Sequence, residues 1–325
     1  MIRAGIVGGA GYTAGELIRL IIHHPALELD FVYSTSNAGN EIAEVHADLE
    51  GEILSAFTSV LNLEIDVLFL CLGHGNSKKF LEENQFSERT HIIDLSNDFR
   101  LKEDRVLGDK AFVYGLPELN ATEISKSKYL ANPGCFATAI ELALLPLASE
   151  GLLQDDVHVN AVTGATGAGV SLSKTTHFTW RDNNFSHYKA FTHQHLGEIT
   201  ETVSQVQPRW NQEIYFLPNR GNFSRGIFST AYTTFSQGLD SAFELYEGYY
   251  KEAPCTFVSR REVFLKQVVN TNKCLIHLHK HKDKLLITSV IDNLLKGASG
   301  QAIENMNLMF GLDRKLGLEL KANFF

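Results

Sequence analysis

Hydrophobic positions in the first part of the chain alternate between short apolar runs and the spacing of an amphipathic helix. Ile2–Val7 is apolar and leads into a glycine-rich turn, after which apolar residues follow at helical spacing from Leu17 until the chain reaches Pro25. Leu27–Tyr33 predicts a second strand. Strand, crossover helix and strand form the β-α-β unit from which mononucleotide-binding halves are built.

Two further apolar runs, residues 67–72 and 91–95, are typical of strands buried in a parallel sheet. We therefore expect a Rossmann-type, doubly wound parallel sheet over residues 1–132. A chain of 325 residues is longer than one hydrophobic core usually supports, so a second domain is expected.

The alternation of apolar and polar positions becomes longer in the second half of the chain. It predicts an α+β catalytic domain with a mainly antiparallel sheet, with strands at 157–162, 213–217, 227–235, 274–279 and 285–291. Residues 163–197 lack periodicity, which is typical of a loop that is either functional or disordered. Residues 299–310 predict a helix, which the family resemblance described below implies returns to the first domain. With that return, we expect one domain at 1–132 with 298–325 and another at 133–297.

Composition excludes several classes of partner. The formal net charge of −9 leaves no basic surface for nucleic acid, and the longest apolar run is too short to span a bilayer. The N-terminus lacks the pattern of a secretory signal, so a cytoplasmic protein is expected. The four cysteines form no CxxC pair and no disulfide framework, which suits a reducing compartment. Cys71 and Cys274 lie in predicted strands and Cys255 follows Pro254, so these three are interpreted as structural.

Cys135 is the strongest candidate for chemistry. It follows Asn132-Pro133-Gly134 and precedes an apolar helix. Unpaired N–H groups and the positive end of the helix dipole favour the thiolate, and a proline-glycine turn can project the sulfur into a cleft. The alternative is a small buried hydrophobic residue.

The turn after the first strand is a variant of the dinucleotide fingerprint, Gly8-x-x-Gly11-x-x-Ala14. Glycine lets the backbone approach a pyrophosphate, which the helix N-terminus then binds. An ordinary tight turn is the alternative. The second strand ends in Ser34-Thr35-Ser36 and not in the acidic residue that binds a ribose 2′-hydroxyl, so the sequence favours NADP.

A histidine cluster follows in the second half. His193, His195 and Glu198 are the residue types of an acid/base centre with an orienting carboxylate. No local Cys or HExxH motif completes a zinc site, so no metal is predicted; a solvated loop is the alternative. Arg220 and Arg225 lie near glycines and are interpreted either as ligands of an anionic substrate or as surface arginines.

Thiolate, nucleotide fingerprint and histidine together predict one chemistry. An acyl group is transferred to Cys135 as a thioester, and a hydride from the cofactor reduces the thioester to an aldehyde.

These motifs resemble those of the N-acetyl-gamma-glutamyl-phosphate reductases, a family of the aspartate-semialdehyde dehydrogenase-like superfamily. The segments that carry the resemblance span nearly the whole chain: Gly8-x-x-Gly11-Tyr12-Thr13, Ser36-Asn37-Ala38-Gly39, the run from Asp94 to Leu101, Tyr114-Gly115-Leu116-Pro117-Glu118, Asn132-Pro133-Gly134-Cys135-Phe136-Ala137-Thr138, His193-x-His195-x-x-Glu198-Ile199, the run from Ser289 to Ala298, and Gly300-Gln301-Ala302-x-x-Asn305-Met306-Asn307.

The resemblance implies NADP(H) as cofactor and reduction of an N-acyl-glutamyl 5-phosphate to the 5-semialdehyde with release of phosphate, in arginine biosynthesis. It also implies a homodimer or homotetramer, with no nucleic-acid or membrane partner. Cys135 would be the nucleophile, with His193 or, preferably, His195 as acid/base and Glu198 orienting it. The implied cofactor-binding residues are Gly8, Gly11, Tyr12, Thr13, Ala14, Ser34, Thr35, Ser36, Gly73, Gly167 and Asn293, and the implied substrate-binding residues are Arg100, Gly164, Arg220 and Arg225.

The chain departs from the family pattern in three places. Ala14 replaces the third glycine, and Thr35 stands where many relatives have arginine. Val170 and Pro218-Asn219-Arg220 replace an arginine and a Pro-His pair, which makes an N-succinyl substrate an alternative to the expected N-acetyl one. The sequence is also compatible with an aspartate-semialdehyde dehydrogenase and with an NADPH-binding redox sensor.

Overall fold

Contacts within the computed structural model, which describes residues 1–325, divide the chain into two units. The first contains residues 1–133 and 298–319, and the second contains residues 134–297 and 320–325. The sequence pattern places residues 320–325 with the first domain. They instead pack within the second unit, where Asn323 donates its backbone N–H to the carbonyl of Val269 at 3.0 Å.

A parallel sheet forms the centre of the first unit. Its strands are β1 (Ile2–Val7), β2 (Leu27–Tyr33), β3 (Val67–Leu70), β4 (His91–Asp94), β7 (Val113–Tyr114) and β8 (Tyr129–Ala131), while β5 (Val106–Leu107) and β6 (Lys110–Ala111) form a separate hairpin. The helices are α1 (Tyr12–Ile22), α2 (Ile42–Val45), α3 (Asn76–Glu83) and α4 (Pro117–Ile124). The prediction of a doubly wound sheet is confirmed.

The order of the strands locates the ligand-binding edge of this sheet. The order is β2-β1-β3-β4-β8-β7, with every pair parallel. The chain leaves β1 towards β2 on one side, and β3 lies on the other side. The carboxyl ends of β1 and β3 therefore form a topological switch point, where open α/β sheets bind their ligands.

A mixed sheet forms the second unit. Its strands are β9 (Val157–Thr163), β10 (Ser186–His187), β11 (Ile214–Arg220), β12 (Ile227–Thr234), β13 (Thr256–Ser259), β14 (Cys274–His281) and β15 (Lys284–Ile291), in the order β10-β11-β9-β12-β15-β14-β13. The helices are α5 (Cys135–Ser149), α6 (Phe178–Arg181), α7 (His195–Val206) and α8 (Leu239–Tyr249).

The sheet is antiparallel except at two pairs, β9 with β11 and β13 with β14, which are parallel. The prediction of a mainly antiparallel sheet is confirmed, and among the five predicted strands only β9 and β11 pair in parallel. A parallel pair needs a long crossover. Here the segment between β9 and β11, with α7 at its end, is that crossover, and it contains the aperiodic residues 163–197.

Helix α5 is held at its middle by two phenols. Pro146 lies inside the helix and has no N–H to donate to the carbonyl of Leu142. The hydroxyl of Tyr250 donates to that carbonyl at 2.5 Å, and the hydroxyl of Tyr246 donates to the carbonyl of Ala143 at 2.6 Å. The backbone polar groups that the proline disturbs are therefore satisfied by side chains.

The chain passes back to the first unit through a π-helical turn, Leu295–Ser299, and ends its regular structure in α9 (Gly300–Met309). Within the first unit the hydroxyl of Ser299 donates to the carbonyl of Thr13 at 2.7 Å, and Asn305 Nδ2 donates to the carbonyl of Gly115 at 2.8 Å. The predicted C-terminal helix is confirmed. None of the helices has the length and apolar character needed to cross a membrane.

Candidate active site

Cys135 is the first residue of α5, directly after the N-cap Gly134, whose φ and ψ are −70° and 151°. The helix behind it is almost wholly buried, which fixes its direction within the second unit. Cys135 itself is partly exposed. The predicted position of this sulfur at a helix N-terminus is therefore confirmed.

His195 and Glu198 lie against the turn that presents Cys135. A Cβ atom on Gly134 would lie 2.4 Å from Nε2 of His195, so only glycine leaves room for the imidazole. Glu198 Oε2 accepts a hydrogen bond of 2.8 Å from the backbone N–H of Gly134. The other oxygen, Oε1, is 3.9 Å from His195 Nε2. Imidazole and carboxylate thus meet at the residue before the thiol.

His193 lies beside His195 in an aromatic setting. Its ring makes edge contacts with Phe136 and Phe216, at centroid distances of 5.4 and 5.5 Å. Its Nδ1 accepts a hydrogen bond of 3.2 Å from the backbone N–H of His195. Burial, followed by the positive charges of Lys189 and Arg220, lowers the pKa of His193 to about 4. His193 is therefore neutral at neutral pH.

The turn after β15 packs against the nucleophile from another side. A Cβ on Gly297 would lie 2.7 Å from the Cβ of Cys135, and the Gly297 N–H donates to the carbonyl of Asp292 at 2.9 Å. The carboxylate of Asp292, which is fully buried, accepts from Arg225 Nε at 3.0 Å and Nη2 at 3.2 Å. Arg225, predicted to bind substrate, is thus engaged by a carboxylate of the protein.

Asn293 and Gly164 belong to the same scaffold. Asn293 Oδ1 accepts from the Gly226 N–H at 2.6 Å, and its Nδ2 donates to Thr166 Oγ1 at 3.1 Å. A Cβ on Gly164 would lie 2.4 Å from the carbonyl oxygen of Ser224. These contacts fix the loops after β9, β11 and β15 together. Gly167, predicted to touch the cofactor, lies exposed in the 3-10 turn Ala165–Ala168 of this loop.

Arg220 lies at the end of β11, above the ring of Tyr188, with 4.8 Å between the guanidinium carbon and the ring centroid. Burial, followed by the charge of Cys135, raises the pKa of Tyr188 to about 12. A second guanidinium, that of Arg181, is also buried here. Sequence reasoning missed Tyr188 and Arg181, because both lie in the aperiodic segment and no local pattern marks them.

The glycine turn of the first unit has the form of a pyrophosphate cradle. Gly8 has a φ of +85°, and its Cβ would lie 2.6 Å from the carbonyl oxygen of Cys71. Around a Cβ on Gly11, the N-cap of α1, nothing lies within 4 Å. His46 Nε2 is 2.7 Å from the carbonyl oxygen of Gly9 and braces the turn. The residues present therefore fit a dinucleotide, with open space at the helix N-terminus.

Tyr12 and Thr13 begin α1, with Tyr12 exposed and Ala14 fully buried. Ala14 therefore offers only its backbone to a ligand. At the end of β2, a cluster of hydroxyls is held together by Asn37, whose Nδ2 donates to Ser34 Oγ at 3.2 Å and to Ser36 Oγ at 3.0 Å. Thr35 between them is exposed.

Two further predicted residues lie elsewhere in the first unit. Arg100, predicted to bind substrate, donates from Nε to the carbonyl of Asn132 at 2.8 Å and from Nη2 to that of Leu95 at 3.0 Å. It therefore braces the backbone that leads towards Cys135. Gly73 is exposed after β3 and precedes the left-handed Gly75 that caps α3.

Comparison with known proteins follows the division into two units. Residues 3–127 match the family model of the semialdehyde dehydrogenase NAD binding domain, and residues 135–293 match that of the semialdehyde dehydrogenase dimerisation domain. A protein of Christiangramia forsetii named N-acetyl-gamma-glutamyl-phosphate reductase is 65% identical over 325 residues, which is the whole of both chains. The chain belongs to the N-acetyl-gamma-glutamyl-phosphate reductase family.

Other comparisons agree with membership of this reductase family. A Flavobacterium johnsoniae protein of the same name is 59% identical over 325 residues, again the whole of both chains. Among solved structures, aspartate semialdehyde dehydrogenase II from Vibrio cholerae superposes with a TM-score of 0.70 at 14% identity, covering 96% of this chain and 99% of that one. At that identity the likeness concerns the fold. The resemblance found in the sequence is confirmed, and the chain has the dinucleotide-binding and dimerisation domains of an oxidoreductase.

Proposed function

We propose that the protein reduces N-acetyl-L-glutamyl 5-phosphate to N-acetyl-L-glutamate 5-semialdehyde with NADPH and releases phosphate, a step of arginine biosynthesis. One observation carries this proposal. Cys135 begins a helix, and His195 and Glu198 both lie against Gly134, in a chain that is 65% identical to a protein bearing the name of this reductase.

Cys135 is the proposed nucleophile. Its thiolate attacks the carbonyl carbon of the acyl phosphate, so that a C–S bond forms and the bond from that carbon to the phosphate oxygen breaks. Phosphate leaves with the bonding electron pair, and the enzyme holds the glutamyl group as a thioester. The N-terminus of α5 stabilises the sulfur anion before the attack and after its release.

NADPH, when bound, supplies the hydride that adds to the thioester carbon. His195 gives a proton to the oxygen of that carbon and takes it back when the C–S bond breaks, so the aldehyde departs and the thiolate returns. Glu198 orients His195 and holds the N–H of Gly134. The low pKa of His193 makes it a neutral acceptor of the backbone N–H of His195, which suits a positioning residue better than the acid/base.

The first unit holds the residues that would bind the dinucleotide. Gly8, Gly11 and the N–H groups at Tyr12 and Thr13 would hold the pyrophosphate. The hydroxyl groups of residues 34–36 would donate to the 2′-phosphate that distinguishes NADPH from NADH.

Turnover in the reverse direction tests the proposal. We expect NADP⁺ reduction that requires both N-acetyl-L-glutamate 5-semialdehyde, or its N-acyl analogue, and phosphate. Cys135→Ser abolishes this turnover but leaves NADPH binding intact, as measured by fluorescence titration. Retained binding with no turnover in the wild-type protein, on any of these aldehydes, would instead support a nucleotide sensor. Turnover of aspartate semialdehyde alone would support the related dehydrogenase.

We also propose that the protein is a homo-oligomer through the outer face of the second sheet. There His158 stacks between Tyr215 and Tyr232 with centroid distances of 5.2 and 4.9 Å, and both tyrosines are exposed. The name of the matched dimerisation domain supports a second copy of the chain as the occupant. Light scattering should find a dimer or tetramer, and Tyr232→Glu should dissociate it; a wild-type monomer would overturn the proposal.

A further inference from the structure

Two arginines of the second unit come together without a carboxylate partner. Arg181, the last residue of α6, has 7% of its surface exposed, and its Nε and Nη1 are buried and make no hydrogen bond. Nε of Arg220 is likewise buried without a partner. Neither guanidinium forms a salt bridge, whereas the nearby Arg225 is paired with Asp292. Buried arginines are normally paired, so this arrangement is that of an anion site.

The register of the sheet fixes this pair. β10 runs antiparallel to β11 with Ser186 opposite Arg220, and Arg181 Nη2 donates to the carbonyl of Asn184 at 3.0 Å. The short helix that ends at Arg181 is therefore tied to the strand that ends at Arg220. The two positive charges repel each other: burial is the larger cause that lowers the pKa of Arg181, and the charge of Arg220 is the second. A carboxylate can accept hydrogen bonds from the free donors of both guanidinium groups.

Ring contacts connect the pair to the histidine cluster through Tyr188. The Tyr188 ring lies 5.7 Å from the ring of His193, centroid to centroid, and carries the guanidinium of Arg220 at 4.8 Å. Arg181 follows Arg220 in this series of contacts, because its partner Asn184 lies two residues before Ser186, which is opposite Arg220. The α-carboxylate of a bound glutamyl group is separated from the reacting carbon only by the glutamate side chain. A carboxylate at the end of a dicarboxylic N-acyl group lies farther from the reacting carbon than the α-carboxylate does.

We propose that Arg181 and Arg220 bind a carboxylate at the far end of the N-acyl group, so that this enzyme prefers a dicarboxylic N-acyl substrate, such as N-succinyl-L-glutamyl 5-phosphate, to the N-acetyl one. This inference rests on the proposed function and refines its substrate. Arg181 and Arg220 are then specificity residues, while Cys135 and His195 perform the same chemistry on either acyl group.

Kinetics in the reverse direction provide the main test, with N-succinyl- and N-acetyl-L-glutamate 5-semialdehyde compared in the presence of phosphate and NADP⁺. We expect kcat/KM to favour the succinyl compound by about tenfold or more, mainly through KM, because charged donors discriminate strongly against a ligand that lacks their partner. Equal or acetyl-favouring values would overturn the inference and leave the proposed function standing. Turnover of neither compound would instead refute the proposed function.

Variants show whether the arginine pair binds the far carboxylate or instead binds the α-carboxylate or the phosphate, which both substrates share. Arg181→Met should raise KM for the succinyl compound and leave the acetyl values nearly unchanged, whereas Arg181→Lys should keep part of the preference. Arg220→Met should raise KM for the succinyl compound more than for the acetyl one. Arg209→Met, at an exposed site of the same unit, is the matched control and should leave KM for both compounds unchanged. Equal losses on both compounds in the Met variants would show that the pair binds a group common to both substrates and would overturn the inference.

Binding without turnover gives an independent readout if a Met variant fails to fold. In Cys135→Ser, N-succinyl-L-glutamate should raise the thermal midpoint more than N-acetyl-L-glutamate at the same concentration. Addition of Arg181→Lys to that variant should reduce the difference between the midpoint increases that the two ligands cause. Equal shifts from the two ligands would contradict the inference.

Discussion

Glu198 Oε2 accepts a hydrogen bond of 2.8 Å from the backbone N–H of Gly134, the residue directly before Cys135. The same carboxylate lies 3.9 Å from the imidazole of His195. One side chain on α7 thus sets both the turn that presents the nucleophile and the surroundings of the proposed acid/base. The carboxylate of Glu198, the imidazole of His195 and the thiol of Cys135 are thus all positioned by contacts at Gly134, which has no side chain.

Gly134→Ala should impair catalysis more than folding. The φ of Gly134 suits any residue, but the new Cβ would overlap His195 Nε2 at 2.4 Å and displace the ring. We expect kcat to fall by about 100-fold, the scale of a misplaced catalytic group. Gly248→Ala, where a Cβ meets nothing within 4 Å, is the control and should retain full activity. Unchanged kcat in Gly134→Ala would contradict the proposed role of His195.

Two glycines of the nucleotide turn should respond differently to alanine. Gly8→Ala combines a φ of +85° with a contact of 2.6 Å to a backbone oxygen, so the free energy of unfolding should fall by about 1–3 kcal/mol. Gly11→Ala meets no atom and should unfold like the wild type, but its methyl group lies where the pyrophosphate would approach. Its Kd for NADPH should rise about tenfold or more. Denaturant unfolding and fluorescence titration measure the two effects, and normal NADPH affinity in Gly11→Ala would argue against this cradle.

Stability should depend on pH through His193. Its pKa is lowered from 6.5 to about 4 by burial, so between these values the unfolded chain binds a proton that the folded protein does not. The free energy of unfolding should therefore fall as pH drops from 6.5 to 4, by up to about 3 kcal/mol from this group, and no further below pH 4.

His193→Gln removes the titratable imidazole and keeps a side-chain acceptor for the backbone N–H of His195. The stability advantage of the wild type over the variant should shrink as the pH falls through that window, as urea unfolding at several pH values would show. An advantage that is constant with pH would contradict the shifted pKa, as would an NMR titration midpoint of His193 near 6.5.

Asp292→Asn should destabilise the second unit. Besides the hydrogen bonds from Arg225, the carboxylate accepts hydrogen bonds from the backbone N–H groups of Asn270 at 2.6 Å and Leu294 at 2.8 Å. The neutral amide of asparagine would leave the Arg225 guanidinium without its counter-charge and would replace one acceptor oxygen with an NH2 group. The free energy of unfolding should fall by about 3–5 kcal/mol, the usual cost of breaking a buried pair. Asp283→Asn, at an exposed hairpin turn, should change it by less than about 1 kcal/mol. Similar small effects of both would show that the buried network is not stabilising.

Local patterns in the sequence were sufficient to predict most of the fold. β2 has the predicted bounds, because its alternation and flanking turns are local, and Cys135 begins a helix as its neighbours indicate. The direction of β11 relative to β9 was not predictable, since hydrophobic alternation records which face of a strand is buried and not which way the strand runs.

Residues of the site that depend on distant pairing were also not predictable. Arg181 meets Arg220 only because the two-residue strand β10 pairs with β11, and His46 braces the nucleotide turn from a loop far along the chain. In contrast, Arg225 and Arg100 were predicted to bind substrate, and nothing local in the sequence shows that Asp292 engages the first and backbone carbonyls the second.

The phenols that hold α5 have a consequence for the relatives of this protein. Proline at 146 and tyrosine at 250 form a matched pair, because the first removes a donor from the Leu142 carbonyl and the second returns one. Loss of the Tyr250 hydroxyl alone would leave the buried Leu142 carbonyl without a donor. Loss of the proline alone would return the helical N–H and make the hydroxyl unnecessary. Across an alignment of the family we therefore expect the two positions to covary: lineages that replace the proline are released to carry phenylalanine opposite it, whereas lineages that keep the proline retain the hydroxyl.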